Sequence, residues 1–244
     1  MDIRGKNAIL TGASAGIGLG ILRSLATAGV NLAITARQAA PLESAAEAAA
    51  AAGVDVFTFA ADITDFSSVQ SFITGAIEHF GHIDYVINNA GINTALRNLD
   101  DIPLETWHQV IAINLNGTYH VIRAILPHFR TNGGGQIINI ISGAGLRSSA
   151  HSGVAYIASK HGVTGLTHTI NVEEGENGIR CTAIYPGEVN TAMLDTDHQR
   201  LQPGEEGLVL EPEDVAEAVL FVTQAHPRAL IEDLSLRPSR QRLA

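Results

Sequence analysis

A single cysteine, Cys181, among 244 residues excludes an internal disulfide framework and any zinc site built on cysteine thiolates. Basic residues are scarce as well: 15 lysines and arginines stand against 25 aspartates and glutamates, for a net charge of −10. With no basic run and no basic amphipathic stretch, neither a nucleic-acid surface nor a membrane attachment is expected. No apolar run approaches the roughly 20 residues of a membrane span. The first residues, Met1-Asp2-Ile3-Arg4-Gly5-Lys6, lead straight into an apolar strand pattern, without a signal-like apolar segment and cleavage site. A cytoplasmic protein is the expectation. The ten histidines show no metal-ligand cluster, and His161 and His168 lie too far apart for the His-x-x-x-His pair of a helical zinc site. No catalytic metal is expected.

What the chain does have is apolar and periodic. Hydrophobic residues make up 45% of it, ample for one large core. Short apolar runs at 7–11, 32–36, 54–60, 83–88, 136–142, 179–185 and 231–236 read as strands. Helical patterns lie between them at 16–28, 39–52, 65–80, 103–129, 154–174 and 212–223. The alanine-rich stretch 45–52 has the composition of a helix rather than a linker. In the long segment 103–129, Pro127 is expected to bend or end the last turn. This alternation predicts an α/β fold with a doubly wound parallel sheet of Rossmann type, about seven strands with helices on both faces. One domain spanning 1–244 is expected.

Two local patterns carry chemistry. Residues 11–18, Thr-Gly-Ala-Ser-Ala-Gly-Ile-Gly, close the first strand and open a helix. Glycines let that backbone turn tightly and approach a ligand, and a helix N-terminus offers unpaired N–H groups to a pyrophosphate. The spacing is G-x-x-x-G-x-G rather than the commoner G-x-G-x-x-G. The second pattern is Tyr156 and Lys160, four residues apart in a helical stretch, which puts a phenol and an ammonium on one face. An unperturbed tyrosine titrates at about 10. A fixed cation beside it favours the phenolate and is expected to lower that value.

With these motifs in register, the chain resembles the short-chain dehydrogenase/reductases in their single-domain form. The resemblance runs from about residue 3 to 236. It includes Asn88-Asn89-Ala90-Gly91 after the fourth strand, Asn114 in the long helix, Ser142 after the fifth strand, Tyr156-x-x-x-Lys160, and Pro186-Gly187 with Thr191 following. It implies hydride transfer between a nicotinamide and a carbonyl or secondary-alcohol carbon. By that resemblance Tyr156 is the proton donor or acceptor, Ser142 polarises the substrate oxygen, and Lys160 holds the nicotinamide ribose and tunes Tyr156. Asn114 positions a water leading to Lys160. Cofactor contacts are implied for Gly12, Ser14, Gly16, Ile17 and Gly18, for Asn89, Ala90 and Gly91, for Pro186, Gly187, Val189 and Thr191, and for Asp62 at the adenine amino group. A non-catalytic NAD(P)-sensing protein on the same fold is the alternative, but it has no need of Ser142, Tyr156 and Lys160 together.

The second strand ends at Ala36, where an acidic residue would bond the adenosine ribose 2′-OH and repel a 2′-phosphate. Arg37 follows, placed to pair with that phosphate. NADP(H) is therefore favoured over NAD(H), although Ala15 stands where many NADP-preferring relatives carry a second basic residue. Ser142 precedes Tyr156 by 14 residues, one more than in many relatives, which reads as one extra residue in loop 143–155. Arg237-Pro238-Ser239 replaces the Asp-Gly-Gly that often follows the last strand. A homodimer or homotetramer is expected from the resemblance. Loop 188–210 is expected to shape the substrate site. Gly143, Ala144, Leu146, Met193 and Leu194 suggest a small, mainly apolar pocket for a carbonyl or alcohol.

Overall fold

The apolar runs become strands because their side chains are buried on both faces of a sheet, and the computed structural model places them so. It describes residues 1–149, 151–195, 201–202 and 204–240. The strands are β1 (Asn7–Thr11), β2 (Asn31–Thr35), β3 (Val56–Thr58), β4 (Tyr85–Asn88), β5 (Gly135–Ile140), β6 (Ile179–Pro186) and β7 (Asp233–Leu236). They form one parallel sheet in the order β3-β2-β1-β4-β5-β6-β7. The helices are α1 (Gly16–Thr27), α2 (Ala39–Ala50), α3 (Phe66–Phe80), α4 (Leu104–Ile111), α5 (Thr118–Thr131), α6 (Val154–Glu174), α7 (Ala192–Asp195) and α8 (Pro212–Gln224). Among the described residues, no helix is long and apolar enough to cross a membrane.

Strand alternation sorts the core into two layers. Ala8, Leu10, Leu32, Ile34, Ile87 and Ile138 face α1, α2 and α8, meeting Ile21, Leu22, Leu25, Leu42, Val215 and Val219. Their strand neighbours Ile9, Ala33, Val86 and Ile137 face the other way, onto Val69, Phe72, Val121, Ile122 and Ile125 of α3 and α5. Each such side chain removed from water contributes about 1.5–3 kcal/mol. Two-sided burial is why these strands read as continuous apolar runs.

Several boundaries differ from those expected. The strand at 54–60 shortens to Val56–Thr58, and the last strand begins at Asp233. The long helix is not continuous: α4 and α5 are joined by a π-helical segment, Ala112–Gly117. Pro127 does not end α5, which runs on to Thr131. Pro127 sits on the exposed face, while Val121, Ile122, Ile125 and Phe129 anchor the helix to the core. There the ring and the missing N–H disturb no buried contact.

The chain winds outward from β1 to β3, then returns to the centre and winds the other way from β4 to β7. The strand order therefore reverses between β1 and β4, and the crevice at their carboxyl ends is where ligands bind in such sheets.

Candidate active site

The loop after β1 is held by hydrogen bonds that join two strand ends. The Thr11 hydroxyl accepts from the backbone N–H groups of Asn89 and Ala90, both at 3.1 Å. The Asn89 side-chain amide donates back to the carbonyls of Thr11 and Gly12 at 3.2 and 3.1 Å. Gly12, at φ +67°, needs glycine for its backbone, and a Cβ there would stand 2.9 Å from the Ala90 Cα. Gly18 needs glycine for space alone: a Cβ would overlap the Gly12 carbonyl oxygen and stand 2.6 Å from Asn89 Nδ2. α1 opens with no side-chain cap and no acid in its first turn. By contrast, Asp65 caps α3 and a Glu211–Asp214 capping box closes the start of α8. The free N–H groups and positive dipole end of α1 suit an anion.

Ser142 follows the end of β5, and its hydroxyl acts on the Tyr156 phenol in the direction that favours the phenolate. It also accepts from the Ala144 N–H at 3.2 Å. The serine sits at φ 149°, ψ 158°, a region that only glycine adopts freely. The side chain is thus held at a strained position beside the reacting group. Replacing it separates strain from chemistry. Ser142→Ala loses the hydroxyl and keeps the strain, whereas Ser142→Gly loses both. Both variants should be nearly inactive, but the glycine variant is expected to be about 1 kcal/mol more stable. In a chain this size that raises its melting temperature by roughly 2–4 °C over the alanine variant. A glycine variant melting at or below the alanine variant would show that Ser142 carries no strain.

Tyr156 is half-buried on α6. Burial pushes its phenol above the usual value, and the Ser142 hydroxyl pulls the other way. This corrects the expectation from spacing. Lys160 Nζ lies 5.4 Å from the Tyr156 ring centre, yet its charge does not offset the burial. Lys160 is itself buried, which brings its ammonium down to about 8, and it donates to the Ile140 carbonyl at 3.2 Å.

Asn114 lies within the π-helical segment, and such segments recur where a helix must aim a side chain at a site. It is 1% exposed. Its Oδ1 accepts from the Ile92 N–H at 2.8 Å, while its Nδ2 donates to the Ile92 carbonyl at 2.9 Å and to Ser159 Oγ at 3.1 Å. Ser159 Oγ donates to the Tyr156 carbonyl at 2.7 Å. Asn114 therefore ties the segment after β4 to the turn of α6 that bears Tyr156. All three of its side-chain hydrogen bonds go to protein groups.

These elements enclose a cavity of about 270 Å³. Its lining includes Gly12, Ser14, Gly16 and Ile17 of the loop after β1, Asn89, Ala90 and Gly91 after β4, Tyr156 and Lys160 of α6, and Thr191 and Met193. Other expected residues lie outside that lining. Arg37 is exposed beyond the end of β2, and exposed Asp62 accepts from the Thr64 N–H and hydroxyl at 2.9 and 2.8 Å. Gly187 donates to the Leu236 carbonyl at 2.7 Å, tying Pro186-Gly187 to β7. Val189 is buried and bridges to Leu210. In the expected substrate loop 188–210, residues 196–200 and 203 lie outside the described residues, and Ala192–Asp195 forms the short α7. Leu146, expected to line a pocket, is exposed. Ile92, Ile140 and Ser159 were not singled out from sequence. Their roles run through backbone groups or buried hydroxyls, which leave no pattern in the chain.

A doubly wound parallel sheet whose glycine loop shares one cavity with a tyrosine and a lysine of one helix is the architecture of a nucleotide-dependent oxidoreductase. The family model described as short chain dehydrogenase matches residues 6–202, and the chain belongs to that family. It is 34% identical over 247 aligned residues to a D-beta-hydroxybutyrate dehydrogenase of Cupriavidus necator, covering 98% of this chain and 94% of that protein. The structure of an alcohol dehydrogenase from Thermococcus sibiricus, complexed with 5-hydroxy-NADP, superposes with a TM-score of 0.88 at 31% identity, covering 98% and 99% of the two chains. A 3-ketoacyl-(acyl-carrier-protein) reductase from Brucella melitensis, complexed with NADH, superposes with a TM-score of 0.88 at 29% identity, again covering 98% and 99%. The chain is accordingly an NAD(P)-dependent oxidoreductase acting between CH–OH and C=O groups of a small molecule. Its residues fit the cofactor. The uncapped α1 terminus suits the pyrophosphate. Gly91 leaves the cavity open, since a Cβ there would stand 3.3 Å from Asn114 Oδ1 and 3.5 Å from Lys160 Nζ.

Proposed function

We propose that the chain interconverts a ketone or aldehyde and the corresponding alcohol with NADP(H), with Tyr156 as the general acid and base. The observation that carries this reading is that Tyr156 and Lys160 line the same cavity as the Gly12–Ile17 loop, with the Ser142 hydroxyl acting on the Tyr156 phenol. Bound nicotinamide supplies or accepts the hydride. Ser142 and Tyr156 then converge on the substrate oxygen, where negative charge develops during reduction. Tyr156 donates the proton to that oxygen, and its raised pKa keeps the phenol protonated at neutral pH for this step. Lys160 hydrogen-bonds the ribose hydroxyls, and Asn114 positions α6 through Ser159. Gly12, Ser14, Gly16, Ile17 and Gly18 form the pyrophosphate turn. Asn89, Ala90, Gly91 and Thr191 would hold the cofactor, with Pro186, Gly187 and Val189 beside them. The free Oδ2 of Asp62 serves the adenine amino group. The whole chain acts as one catalytic domain.

The NADP(H) preference rests on Ala36 and Arg37. No acid stands at the end of β2, and among the described residues Arg37 has no side-chain partner. Purified protein should oxidise NADPH when offered a panel of ketones and aldehydes. Absence of turnover with all of them would favour the non-catalytic sensing reading. Arg37→Asp should weaken NADPH binding by roughly 10- to 100-fold and leave NADH much less affected. An unchanged NADPH-to-NADH preference would remove the assignment.

A further inference from the structure

The tail after β7 brings a cation to the far side of the oxygen-binding pair. Leu236 is paired with Pro186 in the β6–β7 ladder, and Arg237 follows directly. The chain there lies against the end of β6: a Cβ on Gly187 would stand 3.3 Å from Pro238 Cδ and 3.6 Å from Arg237 Cα. From this position the Arg237 side chain reaches past β6 to the turn after β5. Its Nη2 lies 3.9 Å from where a Cβ on Gly143 would stand, and the Pro186 carbonyl oxygen lies 3.8 Å from the same point. Gly143 is the immediate neighbour of Ser142, whose hydroxyl acts on the Tyr156 phenol.

Arg237 is exposed, and among the described residues it has no hydrogen-bond or salt-bridge partner. The other cations near the cavity are differently engaged or placed. Lys160 is bonded to the Ile140 carbonyl, and Arg37 lies at the opposite side of the strand-order reversal, beyond β2. A chain of net charge −10 repels small anions in general, so an unpaired guanidinium beside Gly143 gives them a local counter-charge. Its planar fork matches a carboxylate through two parallel hydrogen bonds.

We propose that Arg237 is a specificity-determining residue that pairs with a carboxylate on the substrate, and that the substrate class is a short oxo acid and its hydroxy acid. The reacting oxygen lies between Ser142 and Tyr156, and the carboxylate, a few bonds away, extends over Gly143 to Arg237. This rests on the oxidoreductase reading above and adds the identity of the substrate's second recognised group.

The test compares a short 3-oxo acid with its methyl ester on one enzyme preparation, so that folding affects both alike. Wild type should favour the acid in kcat/KM, and Arg237→Met should lower the acid-to-ester ratio by roughly 10- to 100-fold. The loss should fall mainly in KM, and Arg237→Lys should restore part of it. A ratio unmoved by Arg237→Met overturns the proposal. A phosphorylated ketone preferred over the oxo acid, with the same dependence on Arg237, overturns the carboxylate assignment. Binding of the acid to the NADPH-loaded protein, followed by NADPH fluorescence, gives the comparison without turnover. Acid binding that depends on Arg237 in a protein reducing no carbonyl would sink the catalytic reading and keep this one. Turnover indifferent to Arg237 would do the reverse.

Discussion

Tyr156→Phe is expected to lower kcat for carbonyl reduction by about 10²–10⁴-fold, with NADPH affinity and melting temperature close to wild type. The substitution removes one oxygen from a half-buried ring and leaves the backbone carbonyl that Ser159 bonds untouched. Ser142 keeps its bond from the Ala144 N–H. The loss should therefore be in the proton-transfer step rather than in binding. The pH profile gives a second reading of the same group. Burial holds the phenol above its ordinary value, so the proton donor persists through neutral pH and reduction should change little there. Alcohol oxidation needs the phenolate, and its rate should climb as pH rises toward the phenol's pKa. A phenylalanine variant that retains both wild-type turnover and that alkaline rise would show that the proton moves through another group.

Gly18→Ala should cost about 3 kcal/mol of stability, which lowers the melting temperature by roughly 6–12 °C. The new methyl would overlap the Gly12 carbonyl oxygen and stand 2.8 Å from the Gly12 carbonyl carbon. Both are backbone atoms of a turn fixed on the other side by Asn89, so the methyl cannot be accommodated by a rotamer change. Relief requires moving the loop itself. A displacement of about 1 Å in a positioned group is worth roughly 100-fold in function, and cofactor affinity should fall on that scale. Gly53→Ala is the control. Gly53 has φ +86° and nothing within 4 Å of its Cβ position, so it should lose only the left-handed backbone cost of about 1–2 kcal/mol, with cofactor affinity unchanged. Equal effects of the two substitutions on cofactor binding would refute the packing role given to Gly18.

The main signals in the chain were those set by local geometry. The pitch of a helix puts Tyr156 and Lys160 on one face wherever that helix lies. Two-sided burial makes β1, β2 and β5 continuous apolar runs, and glycine at 12 and 16 is required by positive φ. Asn114 was legible through the family resemblance, at a helix position where asparagine is otherwise unfavourable. Its partners were not, because the π-helical segment and the Ile92 clamp depend on where β4's continuation passes the helix. The continuation of α5 through Pro127 was likewise invisible: it depends on which side of the helix meets solvent. Sequence alone made Gly12, Gly16 and Gly18 look alike as ligand-approach residues. In the fold Gly18 instead faces another part of its own loop.

By itself the sequence determined the fold class, the family, the phosphate turn and the residue types available for hydride and proton transfer, because each follows from short-range spacing or from composition. Tertiary structure decided which distant groups meet and how the medium tunes them. The strand order places β4's end beside β1's and carries Arg237 from β7 past β6 to Gly143. Burial then raises the Tyr156 phenol that the neighbouring lysine was expected to lower. Chain spacing cannot report either effect, since contact across the sheet and removal of water arise only when the layers close.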